Sequence, residues 1–226
     1  MSVLPTFDPR IVPVEAVDHH LPPVQLQSLQ GQAIRQRFAS PPVWVPELHS
    51  DPRLSSRALV QAAVLVPLVM RDVLTVLLTE RTTQLTSHSG QVAFPGGKVD
   101  PEDASLQAAA LREAQEEIGL KADFIEIIGK LPIYTTGTAV VVTPVVALIR
   151  PGFEISANPH EVAAVFEVPL DFLMNPANHR RHAVHWEGAR REWLSMPYQD
   201  AGVERFIWGA TAAMLRNLYA FLSAPV

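Results

Sequence analysis

The sequence predicts a mixed α/β layered domain. Apolar, β-branched runs of strand length lie on both sides of residues 94–120, which themselves carry a glutamate-rich helix. The last long segment, "IWGATAAMLRNLYAFL", spaces its apolar residues by three and four, the period of a second helix. Strands flanking one helix and closed by another form packed layers around a shared core. A chain of 226 residues, 48% hydrophobic and 18% charged, has enough apolar material for one such domain with extensions.

Taken in order, the elements begin with a composition shift: nine of the 20 prolines fall in the first 52 residues. Residues 1–22 read as an extended arm, 23–39 as a short helix, and "SPPVWVPELHSDPR" as a linker anchored by Trp44. This divides the chain into an N-terminal arm, 1–55, and a main domain, 56–222. "ALVQAAVLVPLVM" and "VLTVLLTER" are strands joined by a hairpin at Arg71-Asp72. Pro67 demotes part of the first to an edge or a bulge. "FIEIIGKLPIYTT" and "AVVVTPVVALI" are two more strands with Gly137 at their turn, and "EVAAVFEVPL" is another, leading into a short helix "LDFLM". Residues 180–207 read as a polar hairpin whose histidines, in "HRRHAVHW", are solvated.

Composition excludes several functions. A net charge of −5 and a pI near 5.9 argue against a nucleic-acid surface, which needs clustered Lys and Arg. With no cysteine there is neither disulfide nor thiolate chemistry. The N-terminus lacks a basic region followed by an apolar one, and the longest apolar runs are interrupted by Gln61 and Pro67. The expectation is a soluble, cytoplasmic protein that does not engage membrane; a homodimer is compatible with it.

The helix within "FPGGKVDPEDASLQAAALREAQEEIGL" carries the chemistry. Asp100 before Pro101, or alternatively Asp103, is the expected cap, and Gly119 the stop. At about 100° per residue, Ala104, Leu111, Ala114 and Ile118 share one face, and Glu113, Glu116 and Glu117 share a ~100° arc on the opposite one. A solvated acidic face is the ordinary explanation of such a cluster. Against it, negative charge near a helix C-terminus opposes the macrodipole, and Glu113 and Glu117 repel at i,i+4. A divalent cation would remove both penalties, and hard carboxylate oxygens suit Mg²⁺ or Mn²⁺. Arg112 is positioned either to orient one carboxylate or simply to face solvent. Gly96-Gly97, just before the helix, lets the backbone approach a ligand.

These residues resemble the signature box of the Nudix hydrolases, which ends Arg-Glu-apolar-x-Glu-Glu-x-Gly-apolar; here that tail is Arg112 to Leu120. The box departs from the general form by carrying Asp103 in place of a glutamate and one extra residue in the spacing. That longer version, preceded by Leu-Leu-Thr-x-Arg, Leu-x-x-His-x-Gly and Phe-Pro-Gly-Gly, is similar to the coenzyme A pyrophosphatase subgroup. "LLTERTTQLTSHSGQVAFPGG" matches it with Arg81, Leu85, His88, Gly90 and Phe94-Pro95, and departs at Thr82. "RFIWGATAAML" also resembles that subgroup, whereas residues 1–55 match no motif.

The resemblance implies a Nudix fold, a mixed β-sheet sandwiched between α-helices. It further implies metal-dependent hydrolysis of a diphosphate in a small nucleoside derivative. Carried onto matching positions, Glu113 and Glu117 are the leading Mg²⁺ or Mn²⁺ ligands, with Glu116 and the Gly96 carbonyl completing the set. Arg112 is the orienting arginine. The general base is Glu113 or a carboxylate from another loop, for which Glu161 is a candidate by position. Arg81, His88 and Gly97 are candidate substrate-binding residues. The plainer alternative has His88 capping its loop and Arg81 pairing with Glu80 or Asp100. Coenzyme A is the leading substrate; ADP-ribose, a dinucleoside polyphosphate, or a non-catalytic ligand sensor are the alternatives.

Overall fold

The structure is a computed structural model and describes residues 8–48, 50, 51, 58–83, 89–186 and 189–225. Its centre is a pair of ten-residue strands, β2 (Val60–Val69) and β8 (Val140–Ile149), running parallel in unbroken register from Val60↔Val140 to Val69↔Ile149. Both are almost wholly apolar because both their faces are covered. Ala63, Leu65, Val145, Ala147 and Ile149 point to one side, and Val66, Leu68, Val146 and Leu148 to the other.

Around this pair the large sheet runs β9-β3-β2-β8-β6, with shorter strands alongside. Strand β3 (Thr75–Arg81) returns antiparallel to β2 and is flanked along its length by β9 (Val162–Pro169). Strand β4 (Val92–Ala93) pairs with β3, and β5 (Gly96–Lys98) with Ala62–Val64 of β2. On the far side, β6 (Ile125–Lys130) and β7 (Tyr134–Thr135) pair successively with β8.

The two prolines inside central strands have a common explanation. Leu65 N–H donates to the Pro95 carbonyl, so odd-numbered β2 residues direct their nitrogens toward β5 and β3. Pro67 falls between the β5 pairing, which ends at Val64, and the β3 pairing, which begins at Leu68. Pro144 sits likewise between β7 and β6. Each proline, lacking an N–H, occupies the gap where one neighbouring strand gives way to the next. The sequence expectation of an edge or bulge at Pro67 is therefore corrected: the strand is central and the interruption belongs to its neighbours. The turn before β8 contains Gly137 as expected, and its left-handed residue is Ala139 (φ 69°).

Helix α2 (Leu106–Ile118) covers one face of the large sheet through Ala109, Ala110, Ala114 and Ile118. The opposite face meets a four-stranded antiparallel sheet, β1-β10-β11-β12, and the C-terminal helix α4 (Gly209–Ser223). Its strands are β1 (Val14–Val17), β10 (Arg180–Trp186), β11 (Ala189–Asp200) and β12 (Val203–Trp208). The polar hairpin expected at 180–207 is thus a three-stranded meander, with Val14–Val17 paired to β10 as a fourth strand. Two of its histidines are buried, not solvated. His179 accepts at Nδ1 from Arg216 (2.9 Å) and reaches the Leu173 carbonyl through Nε2 (2.7 Å); His182 meets Ser195 Oγ at 2.7 Å.

The helix expected over 23–39 is a 3-10 turn, Leu26–Leu29, followed by α1 (Gly31–Ala39), with Gln30 extended between them. Ile34 is fully buried, Arg37 donates to the Phe221 carbonyl (2.9 Å) at the end of α4, and Trp44 sits 5.2 Å from the Phe221 ring. The short helix α3 (Leu170–Leu173) follows β9 as expected.

Candidate active site

The cap of α2 is Ser105, whose Oγ accepts from Ala108 N–H (3.1 Å); Gly119, left-handed at φ 70°, ends it. Neither Asp100 nor Asp103 caps the helix, which moves its start five residues beyond the first of these and two beyond the second. Asp103 is instead bound in a bidentate pair with Arg112 (Nε–Oδ1 3.0 Å, Nη2–Oδ2 2.9 Å) and accepts from Asp100 N–H.

The face of the helix that meets the sheet also differs from expectation. Ala104 precedes the helix and is exposed, and Leu111 is only half-buried, while Ala109, Ala110, Ala114 and Ile118 are sealed. Glu117 belongs to this inward stripe, at 3% side-chain exposure, and Glu113 borders it at 15%. Glu116 alone faces outward, at 54%. The carboxylates thus form a ramp from core to solvent rather than a solvated face opposite the core.

The backbone at the two glycines fits around this ramp. A Cβ on Gly97 would lie 2.5 Å from the Glu113 carboxylate carbon, and one on Gly96, at φ 156°, 2.5 Å from the Ala63 carbonyl oxygen. Only glycine leaves room for a strand to run between β2 and the acidic helix. Gly96 N–H in turn donates to Glu117 Oε2 (3.2 Å).

Two arginines answer the negative charge. Arg112 binds Asp103, Glu113 (3.0 Å), Glu116 (2.9 Å) and the Lys98 carbonyl (3.1 Å), and these partners raise its pKa further above the ordinary arginine range. Arg81, at the end of β3, reaches Glu117 Oε1 from Nη1 at 3.3 Å. The partners proposed for Arg81 from sequence, Glu80 and Asp100, are engaged by other arginines, Arg205 (2.7 Å) and Arg112 (3.6 Å).

Glu161 arrives from another direction. The loop before β9 caps the open end of α2: Asn158 N–H donates to the Glu117 carbonyl (2.8 Å) and Ser156 N–H to that of Ile118 (2.9 Å). Asn158 Nδ2 then holds Glu161 Oε1 (3.1 Å), and the Glu161 carbonyl accepts from Thr82 N–H (3.0 Å). Among the described residues Glu161 has no ion-pair partner. Asn158 escaped the sequence reading; its only signal was an Asn-Pro turn ahead of a strand. His88 and Leu85 lie outside the described residues.

Burial drives the electrostatics. Desolvation pushes the Glu117 pKa from its ordinary 4.5 up to about 7, with Glu113 and Glu161 adding repulsion and Gly96 N–H and Arg81 opposing. Glu113 is raised for the same first reason, with Arg112 pulling it down. Among the described residues no three acidic or histidine side chains form a ready-made cation cage. The donors still fit Mg²⁺ or Mn²⁺: they are hard oxygens whose mutual repulsion and desolvation a divalent charge would relieve.

A family model for the NUDIX domain matches residues 59–194. The chain belongs to the Nudix family. It is 47% identical to a Nudix hydrolase NudL of Enterobacter sp. over 70% of this chain and 80% of that one. It is 43% identical to the NudL protein of Shigella flexneri over 76% and 86%. Among solved structures it is similar to a C. elegans Ap4A hydrolase binary complex (21% identity, TM-score 0.46, 73% of this chain and 98% of that one). It is also similar to the Nudix domain of Shewanella oneidensis NrtR complexed with ADP-ribose (23% identity, TM-score 0.40, 50% and 75%). The mixed-sheet Nudix fold and the Nudix-type hydrolase expected from the box are therefore both upheld. Among the described residues no helix is long and apolar enough to cross a membrane.

Proposed function

We propose that this Nudix enzyme hydrolyses the diphosphate bond of coenzyme A or its derivatives, giving 3′,5′-adenosine bisphosphate and 4′-phosphopantetheine or its acyl form. The carrying observation is the stretch 77–97, whose Leu-Leu-Thr-x-Arg half delivers Arg81 to Glu117 and whose Phe-Pro-Gly-Gly half delivers Gly96 to the same carboxylate. The two halves of the subgroup's motif thus meet at one residue of the glutamate-bearing helix.

In this reading Glu113, Glu116 and Glu117, with the Gly96 carbonyl, would hold Mg²⁺ or Mn²⁺, which would neutralise charge on the phosphate oxygens and polarise the attacking water. Arg112, fixed by Asp103, orients Glu113 and Glu116. Glu161 takes the water's proton: its carboxylate is aimed by Asn158 and, among the described residues, not neutralised by an arginine, whereas Glu113 is paired with Arg112. Arg81 and His88 serve the substrate's phosphates, and Gly97 keeps the backbone clear of Glu113. The three glutamates of the box's tail, Glu113, Glu116 and Glu117, are all present, which speaks against a ligand sensor without turnover. We place the catalytic domain at 56–222 with 1–55 as an N-terminal arm, in a cytoplasmic protein able to form a homodimer.

The test is product analysis with coenzyme A, ADP-ribose and a dinucleoside tetraphosphate, each with Mg²⁺ and with Mn²⁺. Preferential release of 3′,5′-adenosine bisphosphate from coenzyme A supports the proposal. Faster turnover of ADP-ribose or the tetraphosphate would replace coenzyme A as substrate, and no turnover of any of them would remove the diphosphatase reading.

A further inference from the structure

The two arginines of the site are used very differently. Arg112 places its donors on Asp103, Glu113, Glu116 and the Lys98 carbonyl, all between 2.9 and 3.1 Å. Among the described residues the Arg81 side chain makes one hydrogen bond, the 3.3 Å approach of Nη1 to Glu117, and its buried Nε has no acceptor. A guanidinium carries five N–H donors, and an unmet buried donor is unfavourable. Its backbone cannot adjust, because Arg81 N–H donates to the Gln91 carbonyl (3.0 Å) and Thr82 N–H to that of Glu161 (3.0 Å). Only the side chain is free to take a second position.

Two facts say what that position serves. Glu117, at 3% exposure, needs a positive partner to stay ionised, and among the described residues Arg81 is the one cation paired with it. A divalent ion bound by Glu117 would repel the guanidinium beside it. Nε, without an acceptor among the described residues, belongs to the planar Nε–Nη edge by which arginine grips two oxygens of a phosphate at once.

We propose that Arg81 is an exchangeable counter-ion: it holds Glu117 until a divalent cation takes that carboxylate, then turns its free edge onto the substrate's phosphate, so that cation and phosphate bind cooperatively. This rests on the reading of Glu117 as a cation ligand.

The experiment is Mn²⁺ titration of the full chain followed by electron paramagnetic resonance, with and without adenosine 5′-monophosphate, a weak chelator without a cleavable diphosphate. In the unmodified protein the nucleotide tightens Mn²⁺ binding by about tenfold or more, within the usual range of coupling between sites. In Arg81→Met, Mn²⁺ alone binds at least as tightly as before, and the enhancement drops to about twofold or less. Arg81→Lys keeps the charge without the fork; it retains Mn²⁺ affinity and also loses the enhancement, which guards against a folding defect in the methionine variant. Equal weakening of Mn²⁺ binding by Arg81→Met with and without nucleotide would mean that Arg81 merely positions Glu117 and would overturn the proposal. So would enhancement that survives in both variants. If Glu117→Gln titrates with Mn²⁺ like the unmodified protein, the ligand reading itself fails; if only the Arg81 variants disappoint, that reading stands and the exchange does not.

Discussion

Replacing Glu117 by glutamine should stabilise the metal-free protein. Glu117 is sealed, at 3% exposure, and burial raises its pKa from 4.5 to about 7. Because the folded value lies above the unfolded one, the folded chain binds the extra proton between those pH values. Stability from this group is complete below pH 4.5 and is lost as pH rises through 7. At about 1.36 kcal/mol per pKa unit, ionising it in the fold costs about 3 kcal/mol by pH 8.5. Glutamine resembles the protonated acid: it cannot ionise, and it keeps an oxygen for Gly96 N–H. In EDTA, urea unfolding of Glu117→Gln at pH 8.5 should therefore show a gain of about 2–3 kcal/mol, equivalent to a Tm rise of roughly 5–10 °C. At pH 4.5 the difference should shrink toward zero. Saturating Mn²⁺ should reverse the order of stability, since only the carboxylate gains from the cation, while turnover is lost in the variant. A variant less stable than the parent at pH 8.5 in EDTA would refute the argument that this carboxylate is held at a cost.

Gly97→Ala places a methyl 2.5 Å from the Glu113 carboxylate carbon, so turnover should fall at least tenfold, by roughly 1.4 kcal/mol in activation free energy, with circular dichroism unchanged; unaffected turnover would free Glu113 of any role. Ser105→Ala should cost about 1 kcal/mol in denaturant unfolding through loss of the cap, and Asp100→Ala under about 0.5 kcal/mol; the reverse order would restore the earlier helix start. His179 is held neutral, its pKa lowered from 6.5 to about 4 by burial, despite opposing help from the Leu173 carbonyl. The unfolded chain alone takes up that proton, so stability is complete above pH 6.5 and falls by up to about 3 kcal/mol as pH drops to 4. Asp18 and Glu47 face the same ring from the N-terminal segment, both with lowered pKa, and lose their contribution in the same direction at lower pH. Comparing His179→Gln with the parent across pH 4–7 isolates the histidine, and parallel curves would exclude it.

Much of the fold is local chemistry. The runs at 60–69 and 140–149 are rich in β-branched residues and uninterrupted by charge, which suits strands buried on both faces, although Pro67 pointed to an edge until its neighbours were in place. The hairpin at Arg71-Asp72, the stop at Gly119 and the apolar final helix are equally local. The parts that were not legible depend on partners far along the chain. Val14–Val17 has no pattern of its own and becomes a strand because β10, some 165 residues later, offers an open edge. His179 and His182 sit in a run rich in charge, and their burial follows from what α4 and β11 bring to them. The turn of the helix start from Asp103 to Ser105 has the same origin: Arg112, nine residues on, claims the aspartate that would otherwise cap.

At the site, the residue types and their order along the helix were enough to mark out the acidic cluster and the glycine pair, because i,i+3 and i,i+4 spacing is a property of any α-helix. Which way that helix rolls on the sheet is not. Packing turned Glu117 inward beside Gly96 and Arg81, left Glu116 in water, and carried Glu161 to the helix end on a loop tied down by Asn158. Charge along a helix is written in its spacing, but desolvation depends on what covers it, and only the folded neighbours supply that cover.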